Sequence, residues 1–276
     1  FKGKKLKNII QKYYATFCKK GYILIPNFYN YESQIQPIQK KIARIINLIA
    51  HKKNIEIPYS KSIEIIKYGF MHLINLDRSA GSEVYDAIKQ IPEFLDLVSD
   101  QKNQNIFEKL RKKSLPGIAD GGYGIRIDIP GEKKFEAPWH QEYPAQMRSL
   151  DGIVFWSPLV EIEQKLGPVE IAECSHNDGL LKVCSKTENG LKQGAYSLRI
   201  TNEDGILEKY SKVNPLTKPG DLILMDYLLL HRSGKNYLDF PRWSMQWRMF
   251  NFLDSTGINI GWRNNYDHKG LNINQK

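Results

Sequence analysis

Apolar side chains recur at three- and four-residue intervals through the first 118 residues, the period of a helix with one buried face. Leu6, Ile9, Ile10, Tyr13, Tyr14 and Phe17 form the first stripe. Lys19-Lys20-Gly21 then closes it as a helix C-cap does. Tyr22 to Ile25 reads as a short strand that stops at Pro26. Ile35, Ile38, Ile42, Ile45, Ile46 and Ile49 mark a second amphipathic helix, and further helices are expected near 61–76, 82–90, 92–99 and 104–113. Core packing accounts for each of these stripes.

From Ala119 the period shortens. YGIRIDI, DGIVFWSPL, GPVEIA, AYSLRI, GDLILMDY and RWSMQWRMFNF are short β-rich runs broken by Gly, Pro and Asn. Many short strands at close spacing predict a sandwich or barrel. Coming after a helical layer, they fit a mainly β chain: a double-stranded β-helix (jelly roll) backed by N-terminal helices. The expected organisation is one integrated domain, with residues 1–118 as helical layer, 119–254 as jelly-roll core and 255–276 as polar tail. Residues 181–214, with Lys-Thr-Glu-Asn-Gly and Asn-Glu-Asp-Gly turns, read as an excursion between core strands.

Composition narrows the class without choosing a function. Hydrophobic content of 41% and charged content of 25% are those of a globular protein. No apolar run approaches the roughly 20 residues of a membrane-spanning helix. Cys18, Cys174 and Cys184 are too few and scattered for a disulfide framework or a zinc motif. A reducing, cytoplasmic setting is expected, and an opening on Phe1 rather than methionine fits a trimmed leading segment. The net charge of +10, with seven lysines in the first twenty residues, has two readings. One is a footprint for nucleic acid, an anionic membrane surface or a phosphorylated substrate. The other, favoured because no nucleic-acid motif accompanies the charge, is a solvated lysine-rich helix face.

The chemistry concentrates in APWHQEYPAQM, residues 137–147. The prolines argue against a helix there, and in an extended segment residues i and i+2 point to one side. His140 and Glu142 therefore aim at a common point. A second half follows in KPGDLILMDYLLLHRSGKN, where an apolar strand runs into His231. Eleven residues later Arg242 enters a strand on which Ser244, Gln246 and Arg248 share its face. Two histidines and one carboxylate with open positions make the facial triad of non-haem Fe(II) oxygenases.

With these residues the sequence resembles the phytanoyl-CoA dioxygenase-like branch of the Fe(II)/2-oxoglutarate-dependent oxygenases, from Phe17 to about Phe252. Gly21-Tyr-Ile-Leu-Ile-Pro26 is similar to that family's opening strand. His140-Gln-Glu142 matches its His-x-Asp/Glu motif, and Gly167-Pro-Val-Glu-Ile with Cys174-Ser-His176 resembles its Gly-x-Leu…Gly-Ser-His stretch. His231-Arg-Ser233…Asn236…Arg242 matches its distal histidine, serine, asparagine and co-substrate arginine. Two departures stand out: Glu142 where the family usually has Asp, and Cys174 where it usually has Gly.

The resemblance implies that His140, Glu142 and His231 hold Fe(II) and that 2-oxoglutarate and O2 are co-substrates. It places the far carboxylate of 2-oxoglutarate on Arg242, whose planar fork suits a carboxylate. Arg248, on the same strand face, is the competitor for that role. Ser233 and Ser244 would add hydroxyl donors. Trp156 either lines the co-substrate pocket or is an ordinary core residue. A filled carboxylate position implies hydroxylation, or a related desaturation, ring closure or epimerisation, rather than halogenation. Arg126 binds an anionic substrate or forms a salt bridge. Tyr143 and Gln146 are substrate-facing candidates or ordinary loop residues, and Asn236 joins them from the resemblance. His176 lies near the pocket mouth in relatives, with turn stabilisation the favoured role. His51 and His72 belong to the helical layer and His268 to the tail. The expected partner is a small-molecule, lipid or sugar-derived substrate. The rivals are an oxygenase of nucleic acid or protein, and a non-catalytic jelly-roll scaffold.

Overall fold

The computed structural model describes residues 2–185 and 198–264, with the side chains of the first ten residues, of Lys134 and of Ser185 left aside. The expected turn at 186–190, the start of the expected strand 195–200 and His268 lie outside these residues. Among the described residues, no helix is long and apolar enough to cross a membrane.

Helices α1 (Lys2–Lys20), α2 (Gln36–Lys52), α3 (Ser62–Glu64), α4 (Phe70–Leu76), α5 (Ser79–Ile88), α6 (Pro92–Ser99) and α7 (Gln101–Leu110) occupy the N-terminal region. Strand β1 (Tyr22–Ile25) sits between the first two. Gly21, at φ +79°, ends α1, and its N–H reaches Phe17 O at 2.8 Å. A side chain at Gly21 would strike the His176 ring and Leu229. The helices start where caps allow. Asp77 Oδ1 accepts from Ser79 N at 2.9 Å and Asp100 Oδ1 from Lys102 N at 2.8 Å, so α5 and α7 begin upstream of the stretches expected from hydrophobic period alone. The region 62–76 forms as expected, but a π-turn, Ile65–Gly69, interrupts it.

The later strands are β2 (Pro116–Ile118), β3 (Gly124–Asp128), β4 (Gly152–Pro158), β5 (Glu170–Ala172), β6 (Val183–Ser185), β7 (Leu198–Ile200), β8 (Lys212–Val213), β9 (Leu222–Asp226), β10 (His231–Arg232) and β11 (Arg242–Asn251). The large sheet runs β1-β9-β4-β11-β2, with β3 on the same edge of β11 as β2, and a small sheet runs β10-β5-β8. Every pairing is antiparallel. Helices α8 (Tyr143–Gln146), α9 (Glu203–Leu207) and α10 (Ser255–Ile260) lie among and after the strands. The architecture is therefore mixed helix and strand rather than mainly β. The expected polar tail begins with α10, which forms because Asp254 caps Gly257 N and Gly261, at φ +65°, ends it.

One apolar core runs from the helices into the large sheet, joining Ile38, Ile42, Ile66 and Phe70 to Ile153, Phe155, Leu224, Trp243 and Trp247. β11 is its hinge point. Trp243 packs edge-on against Phe70, with ring centroids 5.1 Å apart, and donates its indole N–H to Ile66 O at 3.0 Å. Trp247 stacks on Phe155, its register partner in β4. The alternate residues of β11, Arg242, Ser244, Gln246 and Arg248, therefore face the other way, and the candidate site is built there.

Candidate metal centre and co-substrate pocket

His140 and His231 form an isolated antiparallel bridge, each N–H donating to the other's carbonyl at 3.1 Å. Directly opposed residues carry their side chains on one face, and the imidazole centroids lie 4.3 Å apart. Each ring is pinned by the carbonyl two residues back: His140 Nδ1 to Pro138 O at 2.7 Å, His231 Nδ1 to Leu229 O at 3.0 Å. A carbonyl only accepts, so both Nδ1 atoms carry the proton and each Nε2 keeps its lone pair on the side of Glu142. Burial holds both histidines neutral. It lowers the His140 pKa to about 3, helped by the neighbouring His231 and opposed by Glu142, and it lowers His231 as well.

Glu142 departs from the extended geometry expected of it. Its backbone is helical, at φ −73° and ψ −38°, and it opens α8 with Pro144 in the first turn, where proline is tolerated. Its N–H is held by Tyr227 O at 2.8 Å. The carboxylate still reaches the histidines, with Oε2 3.9 Å from His140 Nε2 and 3.7 Å from His231 Nε2. Burial alone would raise the Glu142 pKa, but Arg248 and the two histidines outweigh it and lower it. Oε1 accepts from Arg248 Nε at 2.9 Å, whereas Oε2 is buried with no hydrogen-bond partner. A buried charged oxygen left in that state is costly unless something else meets it.

A metal ion fits that need. The candidate ligand atoms of His140, Glu142 and His231 all lie within 4.8 Å of one another, the one such group among the described residues. Two neutral imidazoles and one carboxylate suit a borderline ion such as Fe(II), and three protein ligands leave positions open.

Beside this group is a cavity open to solvent, lined from the large sheet and from the β10-β5-β8 sheet. Val154 and Trp156 of β4, Met225 of β9 and Gln246 of β11 form one wall, facing His231 and Arg232 of β10. Arg242 is buried at its edge. Its Nε and Nη2 donate to Asp128 Oδ2 at 3.2 and 2.8 Å, and its Nη1 donates to Gly167 O. Asp128 is the register partner of Arg242, and two residues back Arg126 pairs with Ser244. Arg126 Nε donates to Asp128 Oδ1 at 2.7 Å, so one carboxylate bridges two guanidinium groups. Burial opposes ionisation of Asp128, but Arg126 and Arg242 prevail and bring its pKa down to about 2.

The remaining expected residues divide. Ser233 lines the cavity, its Oγ accepting from Ala137 N at 3.3 Å, and Trp156 and Arg126 line it too. Ser244 is fully buried behind it, with an Oγ that finds no partner. Tyr143, Gln146, His176 and Asn236 do not line it. Because Glu142 turns helical, Tyr143 packs into the apolar core and Gln146 accepts a bond from Arg148. His176 Nε2 bonds Cys18 O at 3.1 Å, at the joint of α1 and β1, in keeping with a turn-stabilising role. Asn236 closes the turn after β10, with Nδ2 on Phe240 O and Oδ1 on Leu238 N, both at 2.9 Å, and borders a smaller cavity beside Asp128.

Asp128 and Gln141 were not expected at the site, whereas Gln246 lines the cavity from the face of β11 it was expected to share with Arg242. The alternation along β3 and β11 brings Asp128 and Gln246 to the inward face. Gln141, the middle residue of the His-x-Glu tripeptide, is almost fully buried. Its amide donates to Gly179 O at 2.8 Å and Leu228 O at 2.7 Å, and its oxygen accepts from Leu181 N at 2.9 Å.

Comparison with known proteins identifies the family and the fold. The family model described as Phytanoyl-CoA dioxygenase (PhyH) matches residues 17–243. Among solved structures, the chain is similar to the epimerase SnoN in complex with Fe3+, alpha ketoglutarate and nogalamycin RO. The identity is 15% and the TM-score 0.58, over 92% of this chain and 89% of that one. EctD from S. alaskensis with bound Fe matches at 19% identity and TM-score 0.55, over 87% and 76% of the two chains. The carbocyclase SnoK from nogalamycin biosynthesis matches at 12% and 0.54, over 87% and 83%. Likenesses at these identities concern the fold. No curated protein matches the chain.

Proposed function

Since the chain belongs to the phytanoyl-CoA dioxygenase family, we propose that it is an Fe(II)- and 2-oxoglutarate-dependent oxygenase acting on a C–H bond of a small-molecule, lipid or sugar-derived substrate. The observation that carries this reading is the buried, unpartnered Glu142 Oε2, set opposite two imidazole Nε2 atoms whose Nδ1 protons are already committed. The two sheets are read as the walls of a double-stranded β-helix with core 119–254, on which 1–118 packs as part of one domain. The continuous apolar core supports that reading.

In this reading His140, Glu142 and His231 hold the iron, which together with 2-oxoglutarate supplies the activation of O2. The protein aims that chemistry. Arg242 receives the far carboxylate of 2-oxoglutarate as a charge-assisted pair, in competition with Asp128, which already takes two of its donors. Ser244 Oγ, buried and unpartnered, is a donor in waiting on the same strand face, and Ser233 offers a second hydroxyl. Trp156, Val154, Val169 and Met225 give the cavity apolar walls that exclude water from the reacting end. With the carboxylate position filled by Glu142, hydroxylation or a related C–H oxidation is the reaction supported, and a small molecule is the partner.

The test is an anaerobic titration of metal-free protein with Fe(II) and 2-oxoglutarate, followed by the visible charge-transfer band of their complex. The band is expected in the wild type, absent in His231→Ala and reached only at higher 2-oxoglutarate in Arg242→Ala. A well-folded protein that gives no band would leave the scaffold reading standing instead.

A further inference from the structure

We infer that Arg248 is a positioning residue for the metal carboxylate, fixing Glu142 as a one-oxygen ligand, rather than a second co-substrate arginine. This rests on the reading of His140, Glu142 and His231 as iron ligands. Arg248 lies six positions beyond Arg242 on β11 and shares its face, so sequence alone makes the two equivalent. Their surroundings separate them. Arg242 lines the cavity, while Arg248 is buried away from it and meets Glu142 directly, Nε to Oε1 at 2.9 Å.

The guanidinium is itself held on its other edges. Nη2 donates to Gln246 Oε1 at 3.0 Å and Nη1 to Gly122 O at 3.3 Å. Arg248 is thus a rigid fork anchored to its own strand and to the turn before β3. Glutamate has one more rotatable bond than aspartate and can swing or bring both oxygens to a metal. Here the backbone is tied at one end by Tyr227 O and the carboxylate at the other by Arg248. Oε1 is occupied, and only Oε2 faces the two Nε2 atoms.

The consequence concerns open positions. An octahedral ion given two imidazoles and both carboxylate oxygens keeps two sites free, whereas with a single oxygen it keeps three. A chelating 2-oxo acid takes two, and only the second arrangement leaves a site for O2. Arg248 therefore protects the open position without touching any substrate.

The experiment compares wild type, Arg248→Met, Arg248→Lys and Arg242→Met, each checked for folding by circular dichroism. Fe(II) affinity is measured anaerobically without 2-oxoglutarate, and 2-oxoglutarate affinity is then measured at saturating Fe(II). Groups that orient a metal ligand typically change metal affinity by about 10–100-fold when removed. Arg248→Met is expected to lose Fe(II) affinity on that scale, with 2-oxoglutarate affinity little changed, and Arg242→Met to do the reverse. The visible spectrum of the Co(II)-loaded protein should also change in Arg248→Met and not in Arg242→Met. In a Glu142→Ala background, Arg248→Met should have no further effect on metal affinity. If Arg248→Met does not fold, Arg248→Lys carries the same comparison, with a smaller loss of the same sign. A folded Arg248 variant with wild-type Fe(II) affinity, or one that loses 2-oxoglutarate instead, overturns the inference. A wild type that binds no Fe(II) overturns the oxygenase reading itself, a different and separately visible outcome.

Discussion

Asp128→Asn should make the protein less stable and, at the same time, bind 2-oxoglutarate more tightly. Asp128 is nearly fully buried and takes charged hydrogen bonds at 2.7 Å from Arg126 and at 2.8 and 3.2 Å from Arg242. Its pKa falls from the ordinary 3.8 to about 2, and a change of that size corresponds to about 2 kcal/mol of stability at neutral pH. Breaking a buried pair outright costs roughly 3–5 kcal/mol, and the isosteric amide keeps one accepting oxygen, so about 2–4 kcal/mol is expected. A chain of this length unfolds with an entropy near 0.6 kcal/mol/K, so the melting temperature should drop by about 3–7 °C. The pH dependence has a definite sign. A depressed carboxyl pKa stabilises the fold above 3.8, and the contribution is lost as pH falls from there towards 2. The stability gap between wild type and variant should therefore narrow across that interval. The gain in binding follows from the same geometry. Two of the Arg242 donors are committed to Asp128, so an incoming carboxylate meets a charge already half-satisfied and a like charge beside it. Removing that charge should tighten 2-oxoglutarate by up to about tenfold, the equivalent of 1.4 kcal/mol. Scanning calorimetry and 2-oxoglutarate titration of the Fe(II)-loaded proteins read both arms. An unchanged melting temperature, or a loss of 2-oxoglutarate binding, would refute the reasoning.

Two further substitutions probe how the metal loop is held. Gln141→Ala removes three part-buried hydrogen bonds, made by a buried side chain, that tie the loop to Gly179, Leu181 and Leu228. At roughly 1 kcal/mol each, about 3 kcal/mol should be lost, seen as a lower midpoint in urea unfolding, together with weaker Fe(II) binding. An unchanged midpoint would mean that water replaces the side chain without cost. Gly152→Ala drives a methyl into the Tyr227 ring, and the overpacking should cost about 1–3 kcal/mol. Because Tyr227 O holds Glu142 N, Fe(II) affinity should fall with stability in this variant, and a drop in stability alone would show that the two are uncoupled.

Much of the frame was legible because single signals sufficed. The run Tyr22–Ile25 between Gly21 and Pro26 forms a strand with those bounds, and Ile38, Ile42 and Ile46 of the α2 stripe are buried, with Ile45 and Ile49 half-buried at its border. The pair of histidines could be anticipated from His-x-Glu and the strand before His231. What escaped notice lacked a local signature. The π-turn at Ile65–Gly69 leaves the apolar spacing nearly intact, and β10, at two residues, is too short to carry alternation. Glu142 was expected to be extended because prolines flank it, yet Pro144 sits where a helix accepts proline, so α8 forms and turns Tyr143 and Gln146 away from the cavity. The bridging role of Asp128 is a long-range fact: it depends on Arg242 lying opposite it in a partner strand 114 residues away.

The division of labour between the two arginines follows from how one strand meets two environments. Along β11 the odd positions Trp243, Met245, Trp247 and Met249 enter the core shared with the helices, and that packing fixes the strand against sliding. A slip of one residue would send the tryptophans into the cavity and Arg242 and Arg248 into the core, which burial of unpaired charge forbids. The register thus determines which even position stands where. Six residues of strand set the two Cα atoms about 20 Å apart, and the two guanidinium groups meet different carboxylates, Asp128 and Glu142. Arg242 is placed by β3, through Asp128, at the edge of the cavity, and Arg248 is placed by the start of α8, through Glu142, behind the metal ligands. In the function proposed, one end of β11 would receive a carboxylate from solution, while the other restrains a carboxylate the chain already owns.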